Sequence, residues 1–140
     1  MRLPPLLSSH PPGTQIVLGV VVPAAFGLVC GVLLGVSEPA YLVLSVLAIA
    51  GGYFAGLEHR TVAEGAVRGL NGGLLFGVFI LFGHEFSGSE PKVHLPEPEI
   101  LLVVLTTTLG ALLGALGGRS RARRARRAPA PAPEAGGSSA

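Results

Sequence analysis

Residues 15–36 form a run of 22 residues without one charged side chain, and this run constrains the fold more than any other feature. At 1.5 Å per residue, a helix of that length extends about 33 Å and crosses a hydrocarbon core of about 30 Å. The apolar part is longer than that of a cleavable signal peptide, and Arg2 is the only basic residue before it. The run therefore predicts a retained transmembrane helix.

Three further stretches have the length and composition of membrane spans. The second and fourth, 40–57 and 99–118, each follow a Glu-Pro pair that suits a helix N-terminus. The third, 62–84, needs a polar first turn to be long enough, and Thr61 with Glu64 fits a capping box there. In the whole chain 13% of residues are charged, against about 25% in soluble domains. We therefore predict an all-α polytopic membrane protein with four transmembrane helices.

Two segments flank the predicted transmembrane domain of residues 15–118. Residues 1–14 are rich in Pro and are expected to be an irregular N-terminal segment. Residues 119–140 begin with six Arg and end in Pro, Ala, Gly and Ser, which predicts a basic and then disordered tail.

Basic residues are distributed unequally between the two predicted sides of the membrane. With four spans both termini lie on one side, and nine Arg fall there, whereas Lys92 is alone on the other side. An excess of Lys and Arg is typical of cytoplasmic segments. Both termini are therefore predicted to be cytoplasmic, in the inner membrane. The preference for Arg, Ala, Gly and Pro is typical of a GC-rich bacterial genome.

Small residues recur at every fourth position in all four predicted spans. Positions i and i+4 share one helix face, so each span has a groove where another backbone can approach closely. Such close approach drives helix association in lipid, where burial of apolar side chains contributes little. The glycines predicted to form these packing faces are Gly27, Gly31, Gly35, Gly52, Gly56, Gly65, Gly69, Gly73, Gly77, Gly110, Gly114 and Gly118. Whether they meet within one chain or between copies stays open.

The two predicted hairpins also resemble each other. Residues 26–36 align without gaps with 68–78, and residues 38–60 align with 97–119. Both hairpins would enter the membrane in the same direction, so a tandem two-hairpin repeat is one explanation of the likeness.

Glu64, Arg68 and Asn71 fall on one face of the third span at 100° per residue. Ionisable groups inside a span are often functional, so one interpretation is a polar track for an ion or a proton. In the simpler interpretation, which we favour, Glu64 caps the helix and Arg68 extends to the lipid headgroups. Pro23 leaves the carbonyl of Gly19 without a helical donor and predicts a kink in the first span.

The basic run that follows the fourth span has two interpretations. Nucleic-acid binding is one, but no aromatic residue is interleaved with the arginines. Its position beside a membrane end favours anionic lipid headgroups, to which each Arg contributes about 1 kcal/mol. We therefore predict headgroup contact and no nucleic-acid partner for Arg119, Arg121, Arg123, Arg124, Arg126 and Arg127.

No sequence motif indicates catalysis or a cofactor. The chain has no Asp, and it lacks the GxSxG, GK[ST] and HExxH patterns. Its single cysteine, Cys30, excludes an internal disulfide and a cysteine-based zinc site. Neither an enzyme nor a metal-binding or cofactor-binding protein is expected.

Residues 51–77 carry a GGxxAG helix end, a short charged turn and an xGAxxGxxxGG helix start. This segment resembles small uncharacterised prokaryotic four-span membrane proteins with glycine-zipper helices. The residues that carry the resemblance are Gly51, Gly52, Ala55, Gly56, Gly65, Ala66, Gly69, Gly72 and Gly73. The resemblance implies the same four-helix architecture and implies no chemistry.

Two classes of function are compatible with these observations. The first is a structural or interaction component of a membrane assembly, with the bilayer and either another copy or another membrane protein as partner. The second is a small transporter or channel subunit in which Glu64, Arg68 and Asn71 line a path. The sequence favours the first class.

Overall fold

The computed structural model describes residues 4–93 and 96–127. Each of its four long helices is long and apolar enough to cross a membrane. They are α1 (Pro12–Val36), α2 (Glu38–Leu57), α3 (Val62–Ser87) and α4 (Ile100–Arg127), and a short 3-10 turn, Leu7–Ser9, precedes them. The chain is thus an all-α, multi-pass integral membrane protein.

Local sequence signals begin and end α3. The Thr61 hydroxyl accepts a hydrogen bond from the Glu64 N–H at 3.1 Å. In return the Glu64 carboxylate accepts one from the Arg60 N–H, also at 3.1 Å. This pair satisfies N–H groups that a helix start leaves without intrahelical partners. At the other end Gly88 adopts a left-handed conformation with φ 59°, which favours glycine and stops the helix.

Two of the helices extend beyond the predicted spans. The N-terminal segment 1–14 is not irregular throughout, because α1 begins at Pro12, where proline suits the first helical turn. The basic run after residue 118 is not a separate tail, because α4 continues through it to Arg127. Arg and Ala are good helix formers, and cations near a helix C-terminus are favourable. Residues 128–140, expected to be disordered, lie outside the described residues.

Glycine forms most of the buried core. Among the described residues sixteen are buried, and ten of them are Gly. Large aliphatic side chains instead occupy the outer surface of all four helices. This arrangement suits a bilayer, because lipid tails solvate apolar side chains while close backbone contact holds the helices together.

The contact between α3 and α4 is the most regular in the bundle. The two helices are antiparallel, and successive pairs bring Gly65 against Gly114 and Gly69 against Gly110. The pattern continues where Gly73 lies against the Thr106 backbone and Gly77 against Thr106 and Val103. At each of these four glycines of α3, an added Cβ would overlap α4. The four-residue spacing in the sequence therefore corresponds to one continuous interface within the chain.

Two parallel contacts attach the other helices to this pair. On α1, Gly27 lies against the Phe76 carbonyl, and Gly31 lies against Ile80 and Gly83 of α3. On α2, Gly56 lies against Gly114. Beside this α2–α4 contact, the antiparallel α3–α4 interface continues where Gly118 of α4 lies against the Thr61 carbonyl at the start of α3. The helices thus follow each other across the bundle in the order α1, α3, α4, α2.

Two of the predicted packing glycines do not pack closely against another helix, and two glycines that were not predicted do so. Gly35 lies against Ser89 in the connection after α3 and not against a helix, and Gly52 makes only ordinary contact with Leu113. Conversely, Gly83 packs against the Leu28 carbonyl and Gly117 against Tyr53 and Gly56, although neither was among the predicted packing residues.

The two hairpins do not pack alike. Gly27 and Gly69 are equivalent in the sequence alignment, yet Gly27 faces the other hairpin whereas Gly69 faces α4 of its own hairpin. α3 and α4 are in close contact, whereas α1 and α2 contact each other much less. This difference leaves a space on the α2 side of the bundle.

We expect Gly69→Ala to lower the free energy of unfolding by about 1–3 kcal/mol, because its Cβ would force α3 and α4 apart. The matched control is Gly51→Ala, since a Cβ at Gly51 meets nothing within 4 Å. Equilibrium unfolding in detergent, followed by circular dichroism, measures both variants. Equal loss of stability in the two variants would contradict the packing argument.

Candidate functional site

A cavity of about 390 Å³ lies between the helices, and all four helices contribute to its wall. Arg68 of α3 and Glu58, just after α2, are the charged residues in the wall. Tyr41 and Ile80 line it further along the same two helices, toward the opposite side of the membrane. The remaining lining is mostly aliphatic, aromatic or glycine, so the cavity is apolar with charge at one end.

Small residues explain why this space is not filled by side chains. On α2 the wall is formed in part by Ser45, Ala48 and Gly52, and on α3 by Gly72 and Gly73. α2 contacts α1 and α3 only weakly, because α1 packs on α3 and α2 packs on α4. Cavities of this volume are in the usual range for small-molecule sites, about 300–1,000 Å³.

The Arg68 side chain is held by the backbone of α1. Its guanidinium donates hydrogen bonds to the Leu18 carbonyl at 2.5 Å and to the Gly19 carbonyl at 3.5 Å. Both bonds connect helices that are far apart in the sequence. Arg68 therefore points toward α1 and the cavity, and it does not simply extend outward to the lipid headgroups as predicted.

Pro23 explains why those two carbonyls are free. Residues Val17–Val21 form a π-helical turn, in which the bonding pattern shifts from i→i+4 to i→i+5. The helical donor for Gly19 in the first pattern, and for Leu18 in the second, would be residue 23. Proline has no N–H, so residue 23 offers a donor to neither carbonyl, and Arg68 donates to both from α3. Pro23 in α1 and Arg68 in α3 thus take part in the same interaction between the two helices.

The predicted polar track is not assembled around the cavity. Glu64 is exposed at the start of α3, where it completes the helix cap. Asn71 is exposed on the outer surface, and it does not line the cavity as Arg68 does. Although the three residues share one narrow helix face, Glu64 and Asn71 are exposed and only Arg68 is half-buried. The other charged residue in the cavity wall is Glu58, which directly follows α2.

Arg121 differs from the other arginines of the basic run. Its guanidinium donates hydrogen bonds of 2.7 Å to the Pro4 carbonyl and of 2.7 Å to the Leu57 carbonyl. It is half-buried, and it joins the N-terminal segment to the C-terminal end of α2 and to α4. The other five arginines are exposed, namely Arg119, Arg123, Arg124, Arg126 and Arg127. Arg121 is therefore a structural residue, and the prediction of headgroup contact stays open for the exposed five.

Lys92 has a similar role at the opposite end of the bundle. Its ammonium group donates a hydrogen bond to the Val36 carbonyl at 2.7 Å, and its backbone N–H donates to the Leu34 carbonyl at 2.9 Å. Both carbonyls belong to the last turn of α1, where helical partners are missing. The single lysine thus closes the C-terminus of α1 and holds the connection between α3 and α4 against it.

Cys30 is completely buried between α1 and its neighbours, in a cluster with Ile80 and Leu102. Among residues 4–93 and 96–127, no three His, Cys or acidic side chains come together as metal ligands. Comparison with protein-family models, with curated proteins and with solved structures returned no match to this chain.

Sequence reasoning found Arg68 and Pro23 but did not connect them. It missed Glu58, Tyr41 and Ser45 as cavity residues, because the sequence pattern does not tell which face of α2 turns toward α3. One signal was available for Arg68, since an arginine one and a half turns into a span needs acceptors. The carbonyls freed by a proline in another span are such acceptors.

We expect Arg121→Gln to lower the free energy of unfolding by about 1–3 kcal/mol, because it removes charged hydrogen bonds to two carbonyls. Arg123→Gln is the matched control, since Arg123 is exposed on the same helix and the charge change is identical. Thermal unfolding of the two purified variants in detergent checks the difference. If both variants unfold at the same temperature as the wild type, the Arg121 contacts do not contribute to stability.

Proposed function

We propose that this protein is a structural or interaction component of a bacterial inner-membrane assembly, with both termini in the cytoplasm. The membrane location in this proposal is supported by the four helices that are long and apolar enough to cross a bilayer. The observation that carries the proposal is the continuous helix α4, which extends from the membrane span to Arg127 without a break. We propose no enzymatic activity.

The basic extension of α4 supports an interaction role. α4 has 28 residues and is about 42 Å long, whereas a hydrocarbon core is about 30 Å thick. The excess length carries the exposed arginines of the run. Because Arg121 is bonded to the end of α2, this extension has a defined direction relative to the bundle. Such a rigid cationic helix suits an anionic surface, either lipid headgroups or an acidic partner.

The glycine contacts within the chain argue against self-association of two copies through their glycine faces. The glycine faces of α1, α3 and α4 are occupied within one chain. A partner, or a second copy, would therefore contact the aliphatic outer surface or the basic extension. The likeness of residues 51–77 to small prokaryotic four-span proteins is consistent with this role. The origin of the two hairpins by tandem duplication stays a proposal, because it concerns their sequence likeness and not how they pack.

The proposed orientation predicts one-sided labelling. Cysteine introduced by Ala125→Cys should react with a membrane-impermeant maleimide only after inverted vesicles expose the cytoplasmic face. Cysteine introduced by Glu90→Cys should react from the opposite side. Both positions are exposed, and the native Cys30 is buried, so the wild-type chain is a suitable unlabelled control. The reverse labelling pattern would contradict the orientation.

The interaction role predicts a complex that depends on charge at the end of α4. We expect the wild type, extracted from native membranes in mild detergent, to migrate on a native gel as a species larger than its 14.2 kDa monomer. Replacing Arg123, Arg124, Arg126 and Arg127 together by Gln should release the monomer. The same four positions changed to Lys keep the charge and should retain the complex. A wild-type chain that is monomeric at every detergent concentration would contradict the proposal.

A small transporter or channel subunit is the second candidate, and the cavity is the observation that favours it. All four helices line this space, and Arg68 and Glu58 provide charge at one end. The supporting outcome would be solute flux in proteoliposomes containing the purified monomer. The same outcome would count against a purely structural role.

A further inference from the structure

The cavity is elongated along the membrane normal. Arg68 and Ile80 both line it and lie twelve residues apart on α3, which corresponds to about 18 Å. Between them the wall is formed by groups such as Phe76 and Gly73 of α3 and Leu109 of α4. The space therefore resembles a narrow apolar slot with charged groups at one end only.

The slot opens sideways onto the outer surface of the bundle. Its wall includes Val22 and Phe26 of α1 and Leu47 and Phe54 of α2. Leu47 is 55% exposed and Phe54 is 62% exposed, so these side chains border the cavity and the exterior together. At this height in a membrane span, the exterior is the hydrocarbon core. The slot is therefore continuous with the lipid acyl chains.

An apolar slot of this kind favours an apolar occupant in a bilayer. Atoms that line a void lose their dispersion contacts on one side, and the wall offers water few polar partners. An acyl chain entering from the side restores those contacts without leaving an apolar environment. A membrane lipid is thus the occupant that the position of the opening favours.

The charged end specifies the headgroup. Arg68 lies six residues from the start of α3, about 9 Å along the helix, which is a depth near the headgroup boundary. Its Nε is buried and has no hydrogen-bond partner within the described part of the chain. A guanidinium fork is suited to phosphate oxygens, which can accept two parallel hydrogen bonds.

Glu58 at the same end narrows the choice of anion. Glu58 lines the cavity at the same end as Arg68, so its negative charge disfavours a group with two negative charges. A phosphodiester carries one negative charge, whereas a phosphomonoester carries up to two near neutral pH. The arrangement therefore selects a diester phospholipid over a lipid with a terminal phosphate.

We propose that the cavity binds one acyl chain of a diester phospholipid, with its phosphate beside Arg68. The site is independent of either function class, since a scaffold and a transporter could both hold such a lipid. It also differs from headgroup contact along the arginines at the end of α4, because it is within the bundle and holds a chain.

The proposal is tested with a phosphatidylglycerol that carries a diazirine in one acyl chain. The full-length protein is placed in phosphatidylcholine vesicles containing a minor fraction of this probe, irradiated and mapped by peptide mass spectrometry. We expect adducts on cavity residues such as Ser45 and Phe76, in addition to adducts on the lipid-facing surface. Adducts confined to exposed positions, such as Val43 and Leu112, would overturn the proposal.

Matched variants separate occupation of the slot from general lipid contact. Ala48→Phe fills the cavity, whereas Ala50→Phe adds the same ring at an exposed position on the same helix. We expect the first to abolish cavity adducts and the second to leave them unchanged. The positions of the adducts on the wild-type protein test the proposal by themselves, so the test does not depend on correct folding of Ala48→Phe.

Arg68→Gln tests the headgroup. Competition against the probe by unlabelled phosphatidylglycerol or by diacylglycerol, which has no phosphate, measures the preference of the cavity for the phosphate group. We expect that preference to fall about fivefold in Arg68→Gln and to stay unchanged in Arg60→Gln, since Arg60 is exposed and does not line the cavity. An unchanged preference in both variants would overturn the role of Arg68, and equal competition by both lipids in the wild type would overturn the phosphate contact.

Discussion

The close contact between the backbones of α3 and α4 is the interaction on which the rest of the bundle depends. Gly65 and Gly69 bring α3 so near to α4 that no side chain fits between them. With these two helices fixed, α1 can pack on the far side of α3 and α2 on α4. In lipid this contact is the main source of helix association, because apolar side chains gain little by leaving the acyl phase.

The same geometry explains how the bundle accommodates a charge inside a span. Arg68 sits on the face of α3 that the α4 contact leaves free, and α1 brings two carbonyls to it. Those carbonyls are available because Pro23 cannot donate to them. A charged side chain in a membrane is expensive unless it is paired or hydrogen-bonded, and here a defect in one helix supplies the acceptors for another.

The ends of the bundle are closed by the same kind of interaction. Arg121 donates to the last carbonyl of α2, and Lys92 donates to the last carbonyl of α1. In each case a cation from a distant part of the chain satisfies a helix C-terminus, where it also complements the helix dipole. In the sequence, Arg121 and Lys92 contribute to the distribution of basic residues that predicts orientation, and in the structure each also closes the end of a particular helix.

The sequence by itself determined the four helices, since a long run without charge has few stable structures other than a membrane span. It also determined the capping of α3 by Thr61 and Glu64, because that interaction is local. Only the tertiary structure decided which glycine face meets which helix, because four similar faces can pair in several ways. It likewise decided that Arg68 faces a cavity while Asn71 faces outward. A helical periodicity defines the face of a residue, but the neighbours of that face depend on how the whole bundle closes.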